Sequence, residues 1–491
     1  MKARTLFAVF VIAVTLLRAG IVWQTEPAPE EAYYFLCAER PAPAYFDGPA
    51  GTATQTLWLG PLWRLSAPIW AGAASLLCFV LIRRLGDDEL ATWGAVMLNT
   101  LPVFNTSALE VSPALPALTL VLAGTICGWK AFSAEKSAPA LWWLFAGACF
   151  AAAAWYAYFS VLFAFALAVF TLCSPRHRNA SGFLGVILLV VPPLAASAPA
   201  LAWNAGQDWI PLAGGTFQTL WQWDLRGFLF AGADFFSAFS PLAAAGLFAA
   251  WFLSIPSVRN HVKPRLVLLL GLPGIAFLIY FALRGRESSG YFLFAAPVLI
   301  YYALSLGWHV PRWRTAILAA MILAAAFSVP QVLTVMRSGD SWKAAAGELR
   351  ETFLAQSEAG QPGLFLIAED ESGASALGYH LRADLIPPKG HPAVYVRESQ
   401  DISSQFGLWP GYDDFVETET HADEYFTEQK GENPFVGRSA IYVTKESAND
   451  VPQTIKAAFA SVTFLKEIPP VRGQSAPLRL YLCENYQTLP L

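Results

Sequence analysis

"TLFAVFVIAVTLLRAGIVWQTEPAPEEAYYF", Thr5 to Phe35, sets an uninterrupted apolar run directly against acids, prolines and aromatics. Over 5–23 the run is long enough for a helix rising about 1.5 Å per residue to cross a hydrocarbon core about 30 Å thick. Lys2 and Arg4 precede it as they would a signal peptide, but no clear small-residue cleavage site follows, so it reads as a retained helix. The polar stretch after it then lies at a membrane surface.

The rest of the chain agrees with that beginning. Of 491 residues, 55% are hydrophobic and 14% charged, a composition that excludes a soluble globule of this length. The net charge of -4 is small and says little about partners, and the lack of a basic tract argues against nucleic acid. Cysteines 78, 127, 149 and 173 sit in or beside apolar runs, which leaves Cys37 and Cys483 as the pair able to meet outside; the spacing supports no disulfide framework. Apolar runs at 5–23, 66–82, 90–106, 113–130, 138–154, 157–173, 182–202, 227–254, 265–283, 291–308 and 314–336 give about eleven spans, with 138–173 read as two short helices hinged near "AWYAY". With that count "RRLGDDE", "KAFSAEK", "SPRHRN", "SVRNHVKPR" and "HVPRWR" share one side, which the positive-inside rule makes cytoplasmic. The opening stretch, the loop after the seventh span, "LRGRESSG" and everything after Met336 fall outside. There the composition changes. "SWKAAAGELRETFLAQ" has the pattern of an amphipathic helix, and "GLFLIAE", "AVYVRE", "SAIYVTK", "SVTFLKEI" and "LRLYLCEN" that of strands. The expected organisation is a polytopic α-helical membrane domain over 1–337, with a first extracytoplasmic loop at 24–65, and an extracytoplasmic α/β domain over 338–491.

In "PEEAYYFLCAER", Pro29 suits the first turn of a helix, and Glu30 follows at the positive end of its dipole. Helical spacing groups Glu30, Tyr33, Tyr34 and Cys37 on one face, with Glu31 about a quarter-turn away. A carboxylate beside an aromatic shelf is suited to taking a proton from an acceptor hydroxyl while tyrosine stacks on a sugar. The same residues also fit an interfacial helix with belt aromatics and solvated acids. Asp234 lies inside the eighth span, either lining a groove or packing two helices. Asp208 and Trp209 are an acid–aromatic pair that closes over a sugar or serves as a turn cap with a belt tryptophan. The histidines show no ligand spacing, and no metal site is read; the acids Glu30, Glu31 and Asp47 are the one set suited to a divalent cation.

"EEAYYF" followed by "AYFDGP" resembles the signature of the first extracytoplasmic loop in bacterial GT-C glycosyltransferases related to protein O-mannosyltransferases (family 39) and the lipid A aminoarabinose transferase. "PALAWNAGQDWI", which holds Asn204, "FFSAFSPL" and "SSQFGLW", which holds Gln405 and Trp409, match later segments of that family in order. The resemblance implies sugar transfer, usually inverting, from a polyprenyl-phosphate donor to a lipid, glycan or protein acceptor at the outer face of the cytoplasmic membrane. It assigns Glu30 as the base, Glu31 as the second acid, Asp47 to the acceptor site, and Gln405 and Trp409 to acceptor contacts. The departing polyprenyl phosphate gains negative charge, for which Arg40, Arg284 and Arg286 are the outer cations; they equally suit lipid headgroups. The chain departs from the family pattern at Ala114 and Trp155, where the family carries Asp and Lys, and at Gly48, where it carries His. These departures keep open a member that binds lipid-linked sugar without transferring it. A transporter or flippase for such lipids is the reading from another class, although no inverted repeat is visible.

Overall fold

Helix α1 (Lys2–Gln24) carries the first apolar run, and Leu16, Leu17 and Trp23 on it face outward, as residues bathed in lipid do. The computed structural model describes residues 2–134, 139–213, 232–233, 235–258, 262–263, 266–267, 270–271, 273, 289–361, 363–398, 402–413, 433–445, 451–471 and 476–487. By its contacts the chain divides into Met1–Gln24 with Arg40–Val335, and Thr25–Glu39 with Met336–Leu491.

The first unit is helical. After α1 come a short hairpin, β1 (Ala44–Tyr45) and β2 (Gly48–Pro49), and then α3 (Gly51–Leu59), α4 (Ser66–Leu85), α5 (Asp88–Thr100), α6 (Pro102–Ser107), α7 (Ala114–Ser133), α8 (Pro139–Ala154), α9 (Ser160–Cys173), α10 (Ala180–Gly206), α11 (Ile210–Ala213), α12 (Pro241–Val258) and α13 (Ala296–Gly307). Helix α14 (Pro311–Glu358) begins in this unit. Among the described residues, Phe7–Gln24, Gly51–Leu85, Ala114–Ser133, Ala180–Gly206 and Pro311–Glu358 are long and apolar enough to cross a membrane, and four shorter apolar helices accompany them. The expected spans at 227–254 and 265–283 fall partly or largely outside the described residues.

Small residues set how closely these helices approach. A Cβ on Gly147 would collide with the Leu188 carbonyl, one on Gly185 would meet the Trp143 indole at 2.6 Å, and one on Gly124 would lie 3.0 Å from the Phe150 ring. Helices α7, α8 and α10 therefore pack tightly around glycine, the usual device where lipid supplies no hydrophobic drive for association. Helix α10 carries Pro192, Pro193 and Pro199 in its interior, and its polar side chains bond back to its own backbone: Ser197 Oγ donates to Pro193 O at 2.9 Å, and Asn204 Nδ2 to Ala200 O at 2.8 Å. Basic loops gather at one end of the unit. Arg4 and Arg83 both reach Asp88 at 2.7 Å, Lys263 Nζ donates to Leu85 O, and Trp308 Nε1 to Glu89 at 2.9 Å.

The run 90–106, expected as one span, is broken. Proline at 102 pushes Leu101 to ψ 132°, which ends α5 and starts α6. The opposite difference occurs near 336, where the span and the amphipathic helix form one continuous α14; no breaker separates them, and Pro330 is accommodated inside the helix.

The second unit holds all five expected strands: β3 (Phe365–Ala368), β4 (Tyr395–Val396), β5 (Ala440–Thr444), β6 (Phe459–Ile468) and β7 (Leu478–Tyr486). Their order is β4-β3-β5-β7-β6, with β3 parallel to β4 and β5, and β7 antiparallel to β5 and β6. Helix α15 (Glu371–Leu381), capped by the Asp370 carboxylate on Gly373 N at 2.7 Å, packs beside β3, and α16 (Gln453–Ala458) beside β6. Tyr442 and Tyr481 face each other across β5 and β7 and join Phe365, Tyr395, Tyr412, Phe435 and Tyr486 in an aromatic core. Cys37 and Cys483 are both buried.

Glu398 borders that core, with the Tyr486 hydroxyl 3.4 Å from its Oε1. Burial, reinforced by the Asp413 charge, pushes its carboxyl from the ordinary 4.5 up to about 8. The folded state thus prefers the protonated acid, so the stability it contributes is complete below the unfolded value of 4.5 and is lost as pH rises through about 8. Thermal unfolding of the second unit, followed from about pH 5 to about pH 9, should show a falling midpoint, and Glu398→Gln should flatten that fall.

Candidate active site

The sequence "PEEAYYFLCA" forms helix α2 (Pro29–Ala38), with Pro29 at its first position and both acids in its first turn. Glu31 folds back so that its Oε2 accepts the Ala28 amide at 3.1 Å, and it is 1% exposed. Glu30, one position earlier, is exposed. The face grouped by helical spacing divides by burial: Tyr34 is half-buried and near Glu30 in register, whereas Tyr33 and Cys37 are buried, with the two tyrosine rings edge to face at 5.3 Å.

Helix α2 is built into the second unit by contacts that local sequence patterns do not reveal. Lys343 Nζ pairs with Glu26 at 2.5 Å, and Asp340 Oδ1 accepts the Glu26 amide at 3.2 Å. Gly339 lies under this entry, where a Cβ would collide with the Glu26 and Pro27 carbonyls. Farther along, Leu36 rests on Gly378 of α15, Phe35 meets Tyr379 edge to face at 4.9 Å, and the Arg382 guanidinium lies 4.9 Å from the Phe35 ring centre. Of the family-matched tail residues in this unit, Gln405 is buried and Trp409 half-buried on one turn, with Trp409 N donating to Gln405 O at 3.1 Å and its ring against Phe406.

The remaining candidates belong to the first unit. Asp47 is exposed at the tip of the β1–β2 hairpin, whose register pairs Ala44 with Pro49 and Tyr45 with Gly48. The Tyr45 hydroxyl donates to the Arg40 carbonyl at 3.1 Å and accepts from Ala42 N at 3.2 Å, which fixes the approach to the hairpin and half-buries Arg40. Gly48 has φ 153°, a conformation disfavoured for a side chain, so the family histidine would be strained there. Below the hairpin, Gln55 is a hub: its amide donates to Ser66 Oγ at 2.7 Å, and its Oε1 accepts from Trp70 Nε1 and the Tyr156 hydroxyl, each at 2.8 Å. Gly51 N donates to the Trp155 carbonyl at 2.9 Å, and the Trp155 ring meets Trp58 at 5.8 Å. Asn204 is 1% exposed, with its amide on the Tyr158 hydroxyl at 2.9 Å. Just beyond, Asp208 and Trp209 are exposed at φ 53° and 61°, held by Trp209 N donating to Asn204 O at 2.8 Å. Such left-handed pairs of non-glycine residues are costly and collect at functional sites. Asp234, Arg284 and Arg286 lie outside the described residues. Among the described residues, no group of three or more His, Cys, Asp or Glu side chains is arranged to hold a metal ion.

Known proteins match this chain through structure. It is similar to the crystal structure of ArnT from Cupriavidus metallidurans bound to undecaprenyl phosphate, at TM-score 0.57 and 13% identity over 96% of this chain and 97% of that one. The oligosaccharyltransferase AglB from Archaeoglobus fulgidus, in complex with an inhibitory peptide and a dolichol-phosphate, matches 75% of this chain and 63% of its own at 11% identity and TM-score 0.45, too loosely to carry an argument. No protein-family model matches the chain, and no curated protein matches it in sequence. The fold is that of a GT-C-type polytopic α-helical membrane protein with a C-terminal sheet domain.

Gly339→Ala should unseat α2 and destabilise the second unit by about 1–3 kcal/mol. Gly347→Ala, on the same helix where a Cβ meets nothing within 4 Å, should be neutral or stabilise by under about 1 kcal/mol. Scanning fluorimetry of the two variants separates a specific seat for α2 from a general helix effect.

Proposed function

We propose that this chain transfers a sugar from a polyprenyl-phosphate donor to an acceptor hydroxyl at the outer face of the cytoplasmic membrane, with the unit after residue 338 also on that face. The observation that supports this best is the division of labour on α2: Glu31 is buried as a cap, which leaves Glu30 exposed at the positive end of the helix. Glu30 takes the acceptor proton as the oxygen attacks the anomeric carbon, and the bond to the polyprenyl phosphate breaks on the opposite face, with inversion. Glu31 positions Glu30, Tyr33 and Tyr34 flank it, and Asp47 orients the acceptor. Arg40, Arg284 and Arg286 neutralise the departing phosphate, and Asp234 lines the donor groove. Asn204 steadies Tyr158 and the strained pair Asp208 and Trp209, which covers the sugar, while Gln405 and Trp409 select the acceptor.

One observation favours a second reading, a member that binds lipid-linked sugar without transferring it. Ala114 is 2% exposed within the apolar core, so the acid of the family pattern has no counterpart at that position. Proteoliposomes supplied with a radiolabelled polyprenyl-phosphate sugar and a membrane extract as acceptor source distinguish the two. Transfer by the wild type, falling about 10²- to 10⁴-fold in Glu30→Gln with donor binding intact, is the expected result. Full activity in that variant overturns the assignment of the base, and donor binding with no turnover by the wild type establishes the second reading.

A further inference from the structure

Helix α2 sits in the second unit on a seat built from three elements, and His380 belongs to it. The chain entering α2 supplies Glu26, α14 supplies Asp340 and Lys343, and α15 supplies Tyr379 and His380, with Arg382 just past its end. Trp342 of α14 is buried and meets Gly373 of α15, so two of these elements are packed on each other. The His380 ring is half-buried and lies edge to face with Tyr379 at 5.2 Å. Its Nε2 is sealed from solvent and has no hydrogen-bond partner.

Charges act on the ring from every element of the seat. Glu26 and Asp340 favour its cation, and Lys343 and Arg382 oppose it. Lys343 is already paired with Glu26, and Arg382 stacks on Phe35 and Tyr379 while donating to the Tyr379 carbonyl. Helix α2 brings two more acids in its first turn, of which Glu31 is turned back onto the Ala28 amide. A neutral imidazole leaves a lone pair or a single N–H unmet at Nε2, whereas an imidazolium places a charged donor there with nothing to accept it. Burial is the largest of these effects, and the fold holds the ring below its ordinary 6.5. The stability tied to the neutral ring is therefore complete above 6.5 and is lost as pH falls through the folded value. A side chain that served only to fill this space would need no nitrogen at its sealed edge.

We propose that His380 is a positioning residue that keeps α2 seated only while its ring is neutral, so that acid lifts the helix and withdraws Glu30. Protonation adds a cation near Lys343 and Arg382, the two side chains that fasten the entry and the far end of α2, and it leaves the new donor unpaired. The segment released is 25–38, with the sheet and its aromatic core left in place. Glu398 works in the opposite sense, because its protonated form is the one the fold prefers, so acid loosens the seat without loosening the sheet. The effect on sugar transfer rests on the transferase reading; the release of α2 does not.

Two native cysteines report on this directly, since Cys37 is buried on α2 and Cys483 is buried on β7. Full-length protein in nanodiscs is labelled at about pH 7.5 and about pH 5.5 with dithiodipyridine, a disulfide that stays reactive toward thiols in acid, and each site is read by peptide mass spectrometry. Wild type should gain Cys37 labelling by about three- to tenfold in acid while Cys483 stays protected. His380→Gln should remove the gain. His380→Arg, which carries a permanent cation, should label Cys37 at the higher pH as readily as wild type does in acid. Unchanged Cys37 labelling in wild type overturns the proposal, as does the same gain in His380→Gln, a protected Cys37 in His380→Arg, or a parallel gain at Cys483, which marks global unfolding. In the proteoliposome assay, transfer should fall more in wild type than in His380→Gln over the same pH range, and an equal fall in both overturns the link to Glu30. A wild type whose Cys37 responds in this way but which transfers no sugar at any pH fails the transferase reading alone.

Discussion

Hydrocarbon offers no hydrogen bonds, and this constraint governs the first unit. Every polar group carried into the span region must find a partner within the protein, or lose several kcal/mol. The helices meet it for their backbone, but Gln55, Asn99, Asn105 and Asn204 need side-chain solutions, and each solution ties separate elements together. Gln55 joins α3 to α4 and to the turn before α9 through Ser66, Trp70 and Tyr156. Asn204 joins α10 to the same turn through Tyr158. The turn at 155–159 is therefore fixed from two sides, and the Gly51 amide on the Trp155 carbonyl adds a third. Polar satisfaction thus supplies the specificity that non-directional apolar packing does not, and it does so next to the hairpin that carries Asp47.

The second unit is governed differently. Its sheet buries an aromatic layer, and its hold on α2 combines an ion pair, a close backbone approach at Gly339 and stacking of Arg382 on Phe35 and Tyr379. The ion pair is largely exposed and contributes little by itself. The steric fit at Gly339 and the buried Leu36 and Cys37 decide where α2 sits, and hence where Glu30 and Glu31 are presented.

Much of this was legible in the linear chain because the signals are periodic. Apolar runs of span length, strands alternating in "SAIYVTK" and "LRLYLCEN", and Pro29 ahead of two acids each speak through neighbours within a few residues. Leu101–Pro102 carried a break signal, but the hydropathy of 90–106 hid it. What lay beyond reading depends on distance along the chain. Gly339 gives no local sign that it receives the carbonyl of a residue 313 positions earlier. Arg18 stands within an apolar run, and its amide partners are 81 and 87 residues away. The burial of Glu31 was likewise invisible, since helical spacing separates it from Glu30 in angle and not in environment.

The departures at Ala114 and Trp155 gain a physical interpretation from these environments. The family pattern places an acid at the first and a base at the second, so this chain loses one charge of each sign. An uncompensated charge buried in low dielectric costs several kcal/mol, and the apolar residues at these two positions carry no such cost. Ala114 is packed in the apolar core, and the Trp155 ring meets Trp58 while its carbonyl keeps the Gly51 amide. The turn at 155–159 is thus held by backbone and ring contacts and carries no side-chain charge.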